Sequence, residues 1–183
     1  MRRVVAGLME NPGSGDPVTV PAAAGDERSI AIGADHGGYK MKERIAFRLR
    51  EQGYEVTDCG TDSDAAADYP EFAHAVAVEV ASGACRWGIV VDGAGIGSAM
   101  VANKVPGIRA ALCYDLSSAR NSREHNHANV LTLGAGLVGE ALAWQIVETW
   151  LATPWGGGRH ARRVSLITDV ERRYLAAPAR SAP

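Results

Sequence analysis

From Ser29 onward, short apolar runs alternate with stretches in which apolar residues recur every three or four positions. Ile30-Ala31-Ile32-Gly33-Ala34 reads as a buried strand that ends in Asp35-His36-Gly37-Gly38. Residues 39–52 follow as an amphipathic helix, with Met41, Ile45 and Leu49 four apart and charges between them, and Gly53 stops it. Residues 54–58 form a second strand, a loop runs to Tyr69-Pro70, and residues 72–82 form an Ala/Val-rich helix. A third strand over 87–91 is closed by Asp92 and a glycine loop, with a short helix over 98–104. Residues 108–112 and 130–133 are the fourth and fifth strands. The helices after them cover 117–125 and 139–151, the second with Leu142, Ile146 and Val147 inward, and a basic segment from Arg159 to about Tyr174 ends the fold. Five strands separated by helices imply right-handed crossovers. The pattern predicts an α/β fold, a Rossmann-like three-layer sandwich whose five-stranded parallel sheet is covered on both faces. Ligands collect at the carboxyl ends of such strands, where Asp35, His36, Asp58, Asp92 and Asp115 fall.

Residues 1–28 break this pattern. Asn11-Pro12-Gly13-Ser14-Gly15-Asp16-Pro17 and Pro21-Ala22-Ala23-Ala24-Gly25 have linker chemistry, which predicts a flexible amino-terminal extension. Ahead of them Val4, Val5, Leu8 and Met9 would share one face of a short helix, so a small docking peptide is the sharper reading. Residues 29–175 are then the folded domain, and the Ala/Pro-rich 176–183 a disordered tail. With 19 basic against 21 acidic residues there is no global positive field, which argues against nucleic acid as a partner. No apolar run approaches the roughly 20 residues needed to cross a bilayer. The three cysteines, Cys59, Cys85 and Cys113, are widely spaced with no CxxC pair. That pattern argues against a disulfide framework and fits a reducing cytoplasm.

Candidate chemistry gathers in a few places. In Asp92-Gly93-Ala94-Gly95-Ile96-Gly97-Ser98 a strand end opens into a helix through three glycines, so backbone N–H groups can point into one space and hold a phosphate or an oxyanion. The spacing is neither the dinucleotide fingerprint nor a P-loop, although Asp115 lies about 20 residues on, where a ribose-binding acid would sit. Asp92, at the lip of the loop, is either a general base or a helix cap. His125-Asn126-His127 ends a helix, where His125 can move protons and Asn126 can bind a hydroxyl; the plain reading is a C-terminal cap with Asn126 in a left-handed turn. Arg159 and Arg163 are four apart and share one helix face, a good phosphate fork or a solvated basic surface. Trp155-Gly156-Gly157-Gly158 ahead of them reads as a hinge. His74 reads as a satisfied histidine, and Asp35-His36 lacks a second motif at metal-ligand spacing.

Together, Gly33-Ala34-Asp35-His36-Gly37-Gly38, Asp58-Cys59-Gly60-Thr61, Asp68-Tyr69-Pro70, Gly93-Ala94-Gly95-Ile96-Gly97, Ala102-Asn103-Lys104-Val105-Pro106-Gly107-Ile108-Arg109, Arg123-Glu124-His125-Asn126 and Gly158-Arg159-His160 resemble the type B ribose-5-phosphate isomerases, a family that includes the galactose-6-phosphate isomerase subunits. The likeness covers roughly residues 29–172. It implies aldose–ketose isomerisation of a sugar phosphate, ribose 5-phosphate first, through an enediolate and with no metal or organic cofactor. His125 would help open the sugar ring and Asn126 would hold a hydroxyl or the enediolate oxygen. The loop from Gly93 to Gly97, with Gly93, Ala94, Gly95 and Gly97, would donate backbone N–H groups to the enediolate, and Ser98 would belong to the substrate site. Arg159, Arg163 and His36 would bind the phosphate, Arg109 and Tyr69 would line the pocket, and Asp35 would orient His36 or the sugar. The resemblance also implies a homodimer or tetramer with sites shared across the subunit interface. Three positions depart from the family pattern: Asp92 stands where many members carry a cysteine base, Ala94 where they have Thr or Ser, and Ser98 where a second branch has a glutamate. Asp92 would then be the base, as in one galactose-6-phosphate isomerase subunit. The alternatives are a six-carbon 6-phosphate substrate, or a sugar-phosphate-binding or inactive partner subunit. Residues 1–28 would recruit the enzyme to a larger assembly, such as a protein compartment in the cytoplasm.

Overall fold

The computed structural model describes residues 26–175, so the expectations for the docking peptide, the linker and the tail (residues 1–25 and 176–183) lie outside the described residues. Five strands, β1 (Ser29–Ala34), β2 (Glu55–Asp58), β3 (Trp87–Asp92), β4 (Ala110–Leu112) and β5 (Val130–Gly134), make one all-parallel sheet in the order β2-β1-β3-β5-β4. The helices are α1 (Tyr39–Glu51), α2 (Tyr69–Ala81), α3 (Ile96–Ala102), α4 (Leu116–Glu124), α5 (Glu140–Ala152) and α6 (Arg159–Leu175). This is the predicted three-layer α/β sandwich.

Side chains alternate across the sheet and so divide the core in two. Ile30, Ile32, Ile89, Val91, Leu131 and Leu133 pack with α1, α4 and α5, and Ala31, Val90 and Val130 pack with α2 and α3. Because both faces are covered, the central strands read as unbroken apolar runs instead of alternating ones. Trp150 of α5 meets the edge of Trp87 at 5.5 Å between ring centroids, closing the first layer at the amino end of β3.

The chain runs from β1 to β2 on one side and returns to β3 on the other, so the crossovers diverge and leave a crevice above the carboxyl ends of β1 and β3. Register pairs Ala34 with Val91, which brings the next residues, Asp35 and Asp92, side by side at that crevice.

Three local expectations change. Leu142 is 37% exposed; the inward stripe of α5 is Ala143, Ile146, Val147 and Trp150, one position on from the predicted start. Helix α2 starts at Tyr69, because Pro70 is suited to a first turn that needs no N–H donor. Residues 26–28, assigned above to the extension, are tied to the domain: the Arg28 guanidinium donates to the Gln52 carbonyl at 2.9 Å, and Trp87 Nε1 donates to the Glu27 carbonyl at 3.1 Å.

Candidate active site

The crevice end is built from three loops. After β1, Asp35 accepts the Gly38 amide at 3.1 Å through Oδ1, which shapes the turn into α1. His36 is held by Ala67 and not by Asp35: its Nδ1 lies 3.2 Å from both the nitrogen and the oxygen of that residue. The loop carrying Ala67 is itself anchored by a lysine the sequence reading passed over. Lys42 is 1% exposed on α1, and its ammonium donates to Asp58 Oδ2 at 2.7 Å and to the Thr61 carbonyl at 2.9 Å. Asp58 is thus a structural partner. Tyr69, at the start of α2, lays its ring over Gly97, where a Cβ atom would stand only 2.5 Å from Cζ.

The third loop, residues 92–98, carries Asp92 at 5% exposure. Its carboxylate turns in on its own loop. Oδ1 accepts the amides of Ala94, at 2.7 Å, and Gly95, and Oδ2 accepts the amide of Ser98, at 3.1 Å, and the Ser98 hydroxyl. Four donors occupy the two oxygens. The expectation that Ala94 and Gly95 would offer their amides to a ligand therefore changes, since Asp92 takes them, and the Ser98 amide with them. Helix geometry leaves the first-turn amides of Ile96 and Gly97 without an internal acceptor. Gly95 makes the turn possible, with φ +76° at the cap of α3. The loop is pinned from outside by Tyr114, whose hydroxyl donates to the Ala94 carbonyl at 2.8 Å, and by Thr132, whose hydroxyl donates to the Gly95 carbonyl at 2.9 Å. Neither residue belongs to a recognisable motif.

The remaining predicted residues lie elsewhere. His125 caps the carboxyl end of α4, at the amino end of the sheet, and Arg109 Nε donates to the His127 carbonyl there at 2.9 Å. Asn126 and Arg109 line a cavity of about 710 Å³ beneath α6, with Lys104, Ile167 and Glu171. His160 of α6 stacks on His125 with ring centroids 4.2 Å apart and planes 5° from parallel. Arg159 is next to it, with Arg163 one turn on; both are exposed. The Trp155 segment is tied down, its ring stacked on His127 at 4.6 Å and the Gly156 amide donating to the Glu124 carbonyl at 3.0 Å. The left-handed residue of this turn is His127, at φ +52°, not Asn126. Gly88 pairs with Val130 at one end of the β3–β5 ladder and Asp92 with Gly134 at the other. At about 3.3 Å per residue, that interval separates the two groups by roughly 13 Å of strand. Asp35, His36, Tyr69, Asp92 and the glycine loop therefore form one group, and Arg109, His125, Asn126, Arg159 and Arg163 another, at opposite ends of one sheet.

Charge follows the same division. At the lower end, burial, with Arg86 and Arg109 nearby, pushes the Arg123 guanidinium down to about 10; it is held between the rings of Trp87, at 4.1 Å, and Trp150, at 5.0 Å. Burial, then Arg109, Arg123 and Arg86, push His127 down to about 4. Burial raises all three thiols, Cys59 to about 11, so none is poised as a thiolate base. Asp115 caps α4 in a reciprocal box with Ser118, whose amide donates to it at 2.7 Å; that bond lowers its pKa and replaces the ribose-binding reading. His74 is exposed on α2. Among the described residues no group of three or more His, Cys, Asp or Glu side chains is placed to hold a metal ion, and no helix is long and apolar enough to cross a membrane.

The sequence model of the ribose/galactose isomerases matches residues 30–167. Ribose-5-phosphate isomerase B of Escherichia coli is 46% identical over 146 residues, which cover 80% of this chain and 98% of that protein. Among solved structures, the ribose-5-phosphate isomerase B of Clostridium thermocellum is 53% identical with a TM-score of 0.78, over 79% of this chain and 98% of that one. The Mycoplasma genitalium ribose-5-phosphate isomerase B, solved with bound ribulose-5-phosphate, is 38% identical with a TM-score of 0.76, over 78% and 95%.

Proposed function

The chain belongs to the ribose/galactose isomerase family, and on that premise we propose that it interconverts ribose 5-phosphate and ribulose 5-phosphate through an enediolate, with its own side chains as the only catalysts. Opening of the furanose ring falls to His125. Asp92 removes the C2 proton of the aldose and returns it at C1, carbons that one carboxylate oxygen can reach in turn, while the hydroxyl proton of O2 passes to O1 across the cis-enediolate, leaving a carbonyl at C2 and an alcohol at C1. To do so it must release one of its four donors. Three are main-chain amides fixed by the loop, whereas the Ser98 hydroxyl can rotate, so Oδ2 is the oxygen that takes the proton. The amides of Ile96 and Gly97 and the side chain of Asn126 hold the enediolate oxygens. His36, Arg159 and Arg163 take the phosphate, and Asp35, Tyr69 and Arg109 wall the pocket.

The observation that carries this reading is the division of the motif residues into two compact groups at opposite ends of one sheet. Two copies related by a twofold axis, each with the upper end of one against the lower end of the other, complete two identical sites. The exposed face of α6, with Leu166, Ile167, Val170 and Tyr174, gives such a pair an apolar surface to bury.

The four-donor cradle around Asp92 also favours a second reading, in which the carboxylate only shapes the loop and the chain binds sugar phosphates without turning them over. The two separate in one set of assays. Wild type should convert ribose 5-phosphate faster than six-carbon 6-phosphates and exchange solvent deuterium into C2, and Asp92→Asn should lose both activities by about a hundredfold or more. Equal rates for the two proteins would remove Asp92 as base, and binding without exchange would leave the second reading standing. Mixing inactive Asp92→Asn with inactive Arg159→Ala should restore about a quarter of wild-type activity, because random pairing makes half of the dimers mixed and each mixed dimer has one intact site. No recovery would reject the shared site.

A further inference from the structure

We infer that Asn121 is a positioning residue that holds His125 in the tautomer with its proton on Nε2; the catalytic consequence rests on the reading that His125 meets the ring oxygen of the sugar. One atom of this cluster can act in only one way. A main-chain carbonyl accepts, so the Asn126 side-chain nitrogen 3.3 Å from the Asn121 carbonyl is a donor. The same nitrogen lies 3.1 Å from a terminal atom of the Asn121 side chain, which must then be the accepting Oδ1. Asn121 is therefore oriented with its amide nitrogen toward His125, 2.9 Å from Nδ1. That nitrogen only donates, so Nδ1 presents its lone pair and the proton of the neutral ring sits on Nε2.

The surroundings agree with this orientation. Glu124 Oε1 stands 3.7 Å from His125 Nε2, an acceptor on the side where the N–H points. His160 covers the ring face at 4.2 Å, and its own Nε2 accepts from Arg159 Nε at 3.4 Å. Arg159 and Arg163 add positive charge from α6. The His125 amide donates to the Asn121 carbonyl at 3.0 Å, which keeps the two side chains on one face of the last helical turn. A second proton on Nδ1 would face the Asn121 amide donor head-on. Asn121 would then have to flip, which breaks its bond with Asn126. The charge state of His125 and the placement of Asn126 are coupled through this one side chain. A ring fixed in this way offers an N–H donor to a sugar ring oxygen without searching between tautomers.

Nitrogen-15 spectra of the full-length protein, recorded where His125 is neutral, test the assignment. Wild type should show Nδ1 in the pyridine-like range and Nε2 in the pyrrole-like range. Asn121→Asp puts an acceptor opposite Nδ1 and should invert the pattern, and Asn121→Leu should give averaged shifts. On ribose 5-phosphate, Asn121→Asp should lose about tenfold in kcat with KM within twofold, because the phosphate contacts are untouched. A proton on Nδ1 in wild type, or an Asn121→Asp spectrum unchanged from wild type, would overturn the inference. The nitrogen shifts read the tautomer whether or not the protein turns over a sugar phosphate, so failure of the isomerase reading is seen separately in the wild-type rate.

Discussion

At the scale of single residues, His127 makes a pH prediction with a definite sign. Burial, reinforced by three arginines, pushes its imidazole from about 6.5 down to about 4. The unfolded chain binds a proton near pH 6.5 that the folded chain refuses until about 4. The contribution of this residue is therefore complete above pH 6.5 and is lost as pH falls through that window toward 4. His127→Asn removes the titration, and asparagine tolerates the left-handed backbone at φ +52°. Urea denaturation between pH 4 and 7 should show a shallower acid-side loss of stability in the variant than in wild type; parallel curves would refute the assignment. At this scale the chain was legible where chemistry is concentrated in a motif. Asp92, His125 and Arg159 stand out by residue type and neighbours. Lys42, Tyr114 and Asn121 do not, because each acts through one bond to a residue that only folding brings near. Even Asp92 was readable only as base or cap, since its four donors follow from the curvature of the loop and not from its spelling.

At the scale of elements, the loop from β3 into α3 holds its backbone under tight constraint. Gly95 has a positive φ, and a Cβ atom there would lie 2.5 Å from Leu112 Cδ1 and 2.8 Å from the Leu133 carbonyl carbon. Gly95→Ala should destabilise the protein by about 1–3 kcal/mol from the backbone conformation, with more from the clash. Chemical denaturation measures this, and a loss below half a kcal/mol would mean that the loop simply rearranges. Helix α6 makes the complementary prediction. If its exposed apolar face is the interface of the proposed dimer, Ile167→Glu should halve the mass seen by light scattering and reduce turnover with it. An unchanged mass would place the interface elsewhere. Element types were legible because short unbroken apolar runs mark the buried strands and spacings of three and four mark the helices, and the differences lie at edges. The inward stripe of α5 starts at Ala143 and not at Leu142, and Pro70 belongs to the first turn of α2 and not to the loop before it. Both differences arise where two starting points satisfy the same pattern and only packing chooses between them.

At the scale of the whole molecule, the parallel sheet was legible from five apolar runs, and the rule that ligands gather at carboxyl ends placed Asp35, His36 and Asp92 correctly. The same rule says nothing of His125, Asn126 and Arg159, which sit at the other end of the sheet. The motif resemblance implied sites shared between subunits, but sequence order alone gives no sign of which motif residues fall at which end of the sheet, so their division is seen only in the fold. In the proposed dimer, dissociation should cost activity: specific activity should fall on dilution below the dissociation constant and recover on reconcentration. All three thiols, meanwhile, are buried or half-buried and held protonated, and under the proposed mechanism the proton is carried by the Asp92 carboxylate and not by a thiol. Iodoacetamide or hydrogen peroxide, applied at neutral pH to the folded protein, should leave turnover intact. A proton carrier that cannot be alkylated or oxidised would let this isomerase keep working through electrophilic and oxidative stress that disables cysteine-based catalysts.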